Sequence, residues 1–167
     1  MKDLEFLKKE FTKIYYQYIE KIYRFIFLKV NCEETAKDLT SETFLKTWEK
    51  FREKKGNPIK NIQAFLYKTA QNLVINYYRK KMNFVPIEEL PLSDPKTNLE
   101  EKANKDSDLE RIKRALKNLS QEYQNVIVWY YLDGFSIKEI SQMIGKSEGA
   151  VRVLIHRAIQ KLKKELA

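Results

Sequence analysis

Apolar residues recur at helical spacing in seven segments of this chain, and polar or proline-containing stretches separate them. Positions three and four apart share one face of a helix, so each segment predicts an amphipathic helix with one buried face. The segments cover residues 4–29, 32–52, 61–81, 108–119, 121–132, 137–144 and 148–166, and the first is either one long helix or two end to end. Because no segment alternates long enough to predict a strand, the expected fold class is all-α.

Polar residues beside the segments predict where helices begin, and the apolar stripes predict which faces are buried. Asn31 is expected to cap the helix at 32–52, and Ser120 the helix at 121–132. The apolar run 126–131 is expected to pack under the last two helices. The inward face of the second helix should be Ala36, Leu39, Thr43, Phe44, Thr47 and Phe51, and that of the third Ile62, Phe65, Leu66, Thr69, Ala70, Leu73, Val74 and Tyr77.

The pattern breaks between residues 83 and 107, where three prolines occur. From residue 83 to residue 110 the chain has eight acidic residues against three lysines. This composition predicts an acidic linker, 83–107, between two helical domains, 1–82 and 108–167. The linker is either a solvated spacer or an extended segment that lies in a basic channel of a partner.

The last two helices predict a helix-turn-helix in residues 136–166. Ser136 and Glu139 have the spacing of a capping box, in which each side chain accepts a backbone N–H of the other residue. Gly145 supplies the positive φ that ends the first helix, and Ser147 is placed to cap the second. The order of cap, glycine turn and second cap favours two helices that meet at an angle.

The outer face of the second helix of this motif is basic. Six Lys or Arg stand against one Glu between residues 146 and 164. The small Gly149 lets a helix approach the DNA major groove closely, and its longer neighbours reach bases and phosphates. An amphipathic helix with a solvated basic face is the alternative. The outward residues are Gly149, Arg152, Val153, His156, Gln160 and Lys163.

Two helices of the first domain also carry candidate binding faces. The outer side of helix 32–52 mixes acidic with apolar residues, which is typical of a protein-binding surface; it comprises Asp38, Ser41, Glu42, Leu45 and Trp48. Trp48 is equally suited to closing the core. The outer side of helix 61–81 suits binding of a phosphate backbone and unstacked bases. The favourable position of cations at a helix C-terminus explains the basic end of this helix equally well. The outer side comprises Gln71, Asn72, Asn76, Tyr78, Arg79, Lys80 and Lys81.

Composition narrows the choice of partner and chemistry. The net charge of +9 and the pI near 9.4 favour a polyanionic partner, either nucleic acid or an acidic membrane surface. Cys32 is the only cysteine and His156 the only histidine, so disulfides, cysteine metal clusters and histidine relays lack partners. We therefore expect no enzyme activity, cofactor, metal or small-molecule substrate. The apolar runs are too short to span a bilayer and no signal peptide opens the chain, so a cytoplasmic location is expected.

Three stretches together resemble bacterial RNA polymerase sigma factors of the small extracytoplasmic-function (ECF) type. They are AKDLTSETFLKTWEKF (36–51), NIQAFLYKTAQNLVINYYRKK (61–81) and LSQEYQNVIVWYYLDGFSIKEISQMIGKSEGAVRVLIHRAIQKLKKEL (119–166), in the family's order. The resemblance implies a promoter-specificity subunit. Its first domain would bind core polymerase and the −10 element, and its second would bind the −35 element and touch the β-flap.

The resemblance also implies roles for particular residues. The first stretch is similar to the helix that grips the β′ coiled coil, through Asp38, Ser41, Glu42, Leu45 and Trp48, with Ser41 where the family often has Gln. The second resembles the helix that melts and reads the −10 element; Phe65 replaces the usual Trp and Asn76 the usual Asp. The loop 53–58 corresponds to the segment that captures a flipped-out base. The implied −10 contacts are Lys54, Lys55, Asn57, Asn72, Asn76, Tyr78, Arg79 and Lys80, and the implied −35 contacts are Ser147, Glu148, Gly149, Ala150, Arg152, Val153, His156 and Arg157.

The implied partners are core RNA polymerase, promoter DNA and an anti-sigma factor. Two other functions compete with this interpretation. One is a helix-turn-helix regulator that binds duplex DNA without polymerase, although the strand pattern of a receiver or ligand-binding domain is not visible in the first half of the sequence. The other is a helical polymerase-binding module that suppresses transcription.

Overall fold

The computed structural model describes residues 2–53, 59–84 and 108–167, and these ranges contain α-helices and no β-strand. The all-α prediction is therefore confirmed. The chain separates into two compact units, one of residues 1–76 with 142–145 and the other of residues 77–141 with 146–167. The helices are α1 (Lys2–Val30), α2 (Glu33–Arg52), α3 (Ile62–Phe84), α4 (Asp108–Lys117), α5 (Gln121–Ile127), α6 (Ile137–Ile144) and α7 (Glu148–Leu166).

Helix α1 is one continuous helix, and Asn31 ends it. Asn31 has a φ of 52°, and its N–H donates to the carbonyl of Phe27 at 2.8 Å. The prediction that Asn31 caps the next helix was wrong, because Cys32 is the N-cap of α2. Asparagine is favoured both at N-caps and in the left-handed conformation that follows a helix, and here the second preference decides.

The first unit is held together by packing between α1 and α2. Ile22, Phe25 and Ile26 of α1 are almost completely buried, as predicted from the apolar stripe. Towards the other end of the pair, the ring of Phe11 lies 5.3 Å from that of Trp48 and 5.5 Å from that of Phe51. Trp48 thus helps to close this end of the core and remains half-buried, the arrangement that the sequence left open.

Threonines occupy part of the buried face of α2. Thr43 and Thr47 are completely buried, and Thr40 nearly so. Each hydroxyl donates to the backbone carbonyl four residues earlier, at 2.6–2.7 Å. Because the hydrogen bond is local, these polar groups are satisfied inside the core without a partner from another helix.

The buried face of α3 differs from the predicted one. Tyr67 lies in the core with its ring edge-on to Phe25 at 5.1 Å, and the hydroxyl of Tyr18 donates to Gln63 Oε1 at 3.0 Å. Phe65 and Thr69, predicted to point inward, are only partly buried. The core face is therefore turned towards Gln63 and Tyr67, because Tyr67 can bury its ring and Gln63 finds a buried hydrogen-bond partner.

The second unit is built around α7, which packs against α4 and α5. Val126, Val151 and Ala158 are almost completely buried there. The run 126–131 was expected to pack inward as a whole, but Tyr130 and Tyr131 are exposed. Both tyrosines lie in a π-helical segment, Val128–Leu132, that follows α5; the N–H of Asp133 donates to the carbonyl of Val128, five residues back, at 2.9 Å.

The predicted helix caps and glycine turn of the helix-turn-helix are confirmed. The N–H of Ser136 donates to Glu139 Oε1 at 3.2 Å, and the N–H of Glu139 donates to Ser136 Oγ at 3.0 Å. Gly145 follows α6 with a φ of 71°. The N–H of Ala150 donates to Ser147 Oγ at 3.1 Å, which caps α7. Both helices of the motif therefore begin at a side-chain cap, as does α5 at Ser120.

The capping box at α6 can be tested by Ser136→Ala. Removing the hydroxyl leaves the N–H of Glu139 without its acceptor, so we expect a loss of about 1 kcal/mol in the free energy of unfolding. Urea denaturation in a Trp48→Phe background makes Trp129 the only tryptophan reporter. Ser41→Ala, at an exposed position within α2, should cost nothing; equal losses in the two variants would contradict the assigned cap.

Candidate nucleic-acid interface

The orientation of α7 is set by its buried side and by contacts at its N-terminal turn. Val151, Leu154 and Ile155 face the core of the second unit. In the turn before α7, Lys146 Nζ pairs with Glu122 Oε1 of α5 at 2.5 Å, and the hydroxyl of Ser141 donates to the carbonyl of Lys146. The ion pair links the turn to α5 and the hydrogen bond links it to α6, while the buried stripe leaves the opposite face of α7 to solvent.

The structure brings the predicted residues of α7 together on that solvent-facing side. The exposed members are Glu148, Gly149, Ala150, Arg152, Val153, His156 and Arg157. Arg152 Nη2 lies 3.9 Å from Glu148 Oε1, one turn earlier in the helix. Ser147 is also exposed, but its oxygen already accepts the capping hydrogen bond of α7. The arrangement presents cations beside small and apolar side chains, as a major-groove reader requires.

Gly149 is not required by the packing of the free protein. A Cβ atom at this position would meet no heavy atom within 4 Å, and the backbone φ is not positive. Glycine inside a helix is less favourable than alanine by roughly 0.5–1 kcal/mol. The open space therefore lies on the outside of the helix, where a close approach of DNA would use it.

Helix α3 exposes most of the polar residues predicted for it, while Gln71 and Lys81 are partly buried. Asn72, Asn76, Arg79 and Lys80 are all exposed. The ring of Tyr78 lies 5.3 Å from that of Tyr77, edge-on. Partial burial, with a smaller effect of Tyr77, raises the pKa of the Tyr78 phenol above its ordinary value, which already leaves the hydroxyl protonated at neutral pH. The predicted contacts Lys54, Lys55 and Asn57 lie outside the described residues.

A groove between α2 and α3 adds residues that the sequence did not single out. Its volume is about 610 Å³, and Asn72 and Asn76 stand at its α3 wall. The basic side chains converge from two helices, so helical periodicity within either segment could not reveal them. The lining residues are Lys46, Glu49, Lys50, Glu53, Phe65, Lys68, Thr69, Asn72, Leu73 and Asn76. This explains why Phe65 and Thr69 are only partly buried.

The predicted protein-binding face of α2 is largely exposed. Asp38, Ser41, Glu42 and Leu45 point to solvent, and Leu45 is 57% exposed. A leucine that is this exposed beside two acids is suited to a partner surface that offers both apolar and basic groups. Trp48 contributes only its exposed part, because the rest of its ring packs on Phe11.

Within the described residues, no group of three His, Cys, Asp or Glu side chains is placed to hold a metal ion. None of the described helices combines the length and the apolar character that crossing a bilayer requires.

A solvent-facing basic helix in a helix-turn-helix, together with a second helical unit that exposes amides and cations, defines a DNA-binding protein. Comparison with known proteins makes the class specific. Residues 14–84 match the family model "Sigma-70 region 2", and residues 109–162 match "Sigma-70, region 4". The chain belongs to the ECF sigma factors of RNA polymerase, which are DNA-binding transcription initiation factors and not enzymes.

Individual relatives agree with this family. The chain is 30% identical to the ECF RNA polymerase sigma factor BldN of Streptomyces coelicolor over 157 residues, covering 91% of this chain and 58% of BldN. It is 27% identical to the RNA polymerase sigma factor YlaC of Bacillus subtilis over 158 residues, covering 92% of this chain and 90% of YlaC. The chain thus spans less than two thirds of BldN but most of YlaC.

Two solved structures share the fold. The sigma factor RpoE of Bartonella quintana, crystallised with the anti-sigma factor NepR, superposes with a TM-score of 0.65 at 22% identity, covering 95% of this chain and 97% of that chain. CnrH, in complex with the cytosolic domain of CnrY, superposes with a TM-score of 0.67 at 21% identity, and the match covers 95% of this chain and 88% of CnrH.

Gly149→Ala separates folding from DNA binding. Alanine is the better helix former, and its methyl group meets open space, so we expect the free energy of unfolding to rise by roughly 0.5–1 kcal/mol. The same methyl should weaken binding of promoter DNA by polymerase holoenzyme, because it occupies the space needed for close approach. Urea denaturation and DNA titration measure the two effects. Unchanged DNA affinity would show that α7 does not approach DNA at Gly149.

Proposed function

We propose that this sigma factor directs core RNA polymerase to promoters, with domain 1–82 binding the core enzyme and the −10 element and domain 108–167 binding the −35 element. Residues 83–107 link them. The observation that carries the proposal is the exposed outer face of α7, held outward by a buried stripe in a chain that matches both sigma-70 regions. The family matches support the domain limits, since they run from 14 to 84 and from 109 to 162.

The outer face of α2 is the proposed contact with the β′ coiled coil of the polymerase. Asp38 and Glu42 supply negative charge, and Leu45 supplies the apolar centre of the surface. Ser41 lies between them, and Trp48 borders the surface while it supports the core. The acids are matched to a basic partner, which favours fast and specific association.

The exposed side of α3 is the proposed −10 contact. Asn72 and Asn76 offer both hydrogen-bond donors and acceptors to base edges, Tyr78 offers a ring and a protonated hydroxyl, and Arg79 and Lys80 offer charge to phosphates. The adjoining groove places Lys46, Lys50 and Lys68 beside the two asparagines. Lys54, Lys55 and Asn57 complete the proposed set on the basis of the family resemblance.

The exposed N-terminal half of α7 is the proposed −35 contact. Arg152 is long enough to reach guanine in the major groove, and its guanidinium lies 3.9 Å from the Glu148 carboxylate on the exposed side of the helix. His156 and Arg157 follow one turn later, and Ser147, Glu148 and Ala150 border the helix start. The same domain is proposed to touch the β-flap.

An anti-sigma factor and a cytoplasmic location belong to this proposal as well. The anti-sigma partner is supported by the family and by RpoE of Bartonella quintana, which was crystallised with the anti-sigma factor NepR. The cytoplasmic location is supported by the polymerase and DNA partners of the family.

Run-off transcription with purified core RNA polymerase tests the function directly. We expect the full chain to confer initiation at a defined start on promoters selected from a DNA library by the holoenzyme. Inhibition of the core enzyme would instead support a suppressing module. Tight, specific binding of duplex DNA without polymerase, combined with no initiation, would support a helix-turn-helix regulator.

Arg152→Ala tests base reading by α7. If the guanidinium makes two hydrogen bonds to one guanine, its loss should cost about 1–3 kcal/mol of binding at one −35 base pair and relax the preference there. Holoenzyme titrations against every single-base variant of the −35 element measure this. Lys161→Ala, outside the outward set, is the control. An equal loss on all sequences would assign Arg152 to a phosphate.

Asp38→Ala with Leu45→Ala tests the polymerase contact. Both side chains are exposed, so the double variant should fold normally and lose affinity for core polymerase by a few kcal/mol at most. Leu4→Ala with Glu5→Ala removes a similar exposed pair from α1 and serves as the matched control. Equal affinity of the two double variants, measured by fluorescence anisotropy with core enzyme, would contradict the assignment of this surface.

A further inference from the structure

Val153 occupies a special position on α7. It lies two residues from both Val151 and Ile155, which are buried, so the helical period of about 100° per residue places it on the opposite face. The side chain is 49% exposed. One exposed valine is ordinary on a protein surface. This one lies near the centre of the face that the proposed function turns towards DNA.

The residues around Val153 form a small apolar strip with a charged frame. Gly149 and Ala150, one turn earlier, are exposed and small. Open space lies over Gly149, where even a Cβ atom would meet nothing within 4 Å. Arg152 and His156 flank the strip on one side and Arg157 on the other, all of them exposed. Cations therefore border an apolar centre.

Helix formation does not explain a valine here. β-Branched residues are weaker helix formers than the lysine, arginine or glutamine that would suit an exposed position equally well. The side chain also makes no use of the buried core on the other side of α7. A contact between the Val153 side chain and a bound partner is therefore the better explanation for a valine at this position.

In the major groove, the C5 methyl group of thymine is the apolar feature that base edges present, beside hydrogen-bonding groups on all four bases. We propose that Val153 reads one thymine of the −35 element through this methyl group, with Gly149 and Ala150 allowing the close approach. The inference rests on the proposed function of α7. Hydrogen bonds from Arg152, His156 and Arg157 cannot replace the contact, because an amino or imino donor gains nothing from a methyl group.

Deoxyuridine tests this contact, because it differs from thymidine only by the missing methyl group. The probe is a −35 duplex from a holoenzyme-selected promoter, in which each thymidine is replaced by deoxyuridine in turn. With wild-type holoenzyme, one replacement should weaken binding about fourfold, the effect of one buried CH₂-sized group. Val153→Ala holoenzyme should bind the thymidine duplex about as weakly and show no difference between the two bases.

A matched control keeps the test specific. Leu109→Ala removes another exposed aliphatic side chain, 59% exposed against 49% for Val153, from α4 and should leave the difference between thymidine and deoxyuridine intact. Thermal melting should show that Val153→Ala folds like the wild type, since the residue is outside the core. A Val153→Ala defect that is the same on both bases, or that appears in core-polymerase affinity alone, would overturn the proposal and assign Val153 to a protein contact.

Different results would contradict the thymine contact of Val153 and the proposed function of the chain. If no deoxyuridine replacement matters while Arg152→Ala still weakens −35 binding, the thymine contact is wrong and the proposed function stands. If the holoenzyme shows no preference for any −35 sequence, the proposed function itself fails.

Discussion

One-sided burial of α7 is the constraint on which the rest of the second unit depends. Val151, Leu154, Ile155 and Ala158 lie against α4 and α5. A helix can bury only one stripe in this way, so the choice of buried stripe also decides which residues of α7 face solvent. The core and the proposed DNA-binding face are therefore opposite sides of the same helix. A rotation of α7 by a single residue would bury cations and expose the apolar stripe, at a cost far above that of any one surface contact.

In the first unit α2 is also buried on one side, but its buried face includes polar residues. Three threonines sit on the buried face of α2 and hydrogen-bond to carbonyls of their own helix. The outer face of α2 is thereby left for acids and an exposed leucine, while α3 keeps its amides and cations outward. Both helices thus bury one face and leave the other exposed to solvent.

Charge is divided between these faces in a way that suits two kinds of partner. The chain carries a net charge of +9; amide-bearing and cationic side chains predominate on the outward side of α3, and Arg152 and Arg157 are exposed on α7. The outer face of α2 instead presents Asp38 and Glu42. Uniform positive charge would attract DNA to every surface. Local acids on α2 keep one surface available for a protein, consistent with a sigma factor that binds polymerase and promoter together.

The sequence by itself determined the all-helical class, the caps and glycine turn of the helix-turn-helix, and the outward residues of α7. These features are local: a hydroxyl reaches an N–H three residues away, and a stripe repeats every three or four residues, whatever the rest of the chain does. The resemblance of three stretches to ECF sigma factors added the family, which the region 2 and region 4 matches confirm.

Tertiary structure decided what depends on contact between distant residues. It turned the buried face of α3 towards Tyr67 and Gln63, because Phe25 and Tyr18 lie opposite them. It used Asn31 to end α1 instead of to start α2, left Tyr130 and Tyr131 exposed in a π-helical segment, and placed Lys46, Lys50 and Lys68, together with Glu49 and Glu53, along the groove between α2 and α3. The apolar period of one segment cannot predict these features, because each depends on which side chains a neighbouring segment places against it.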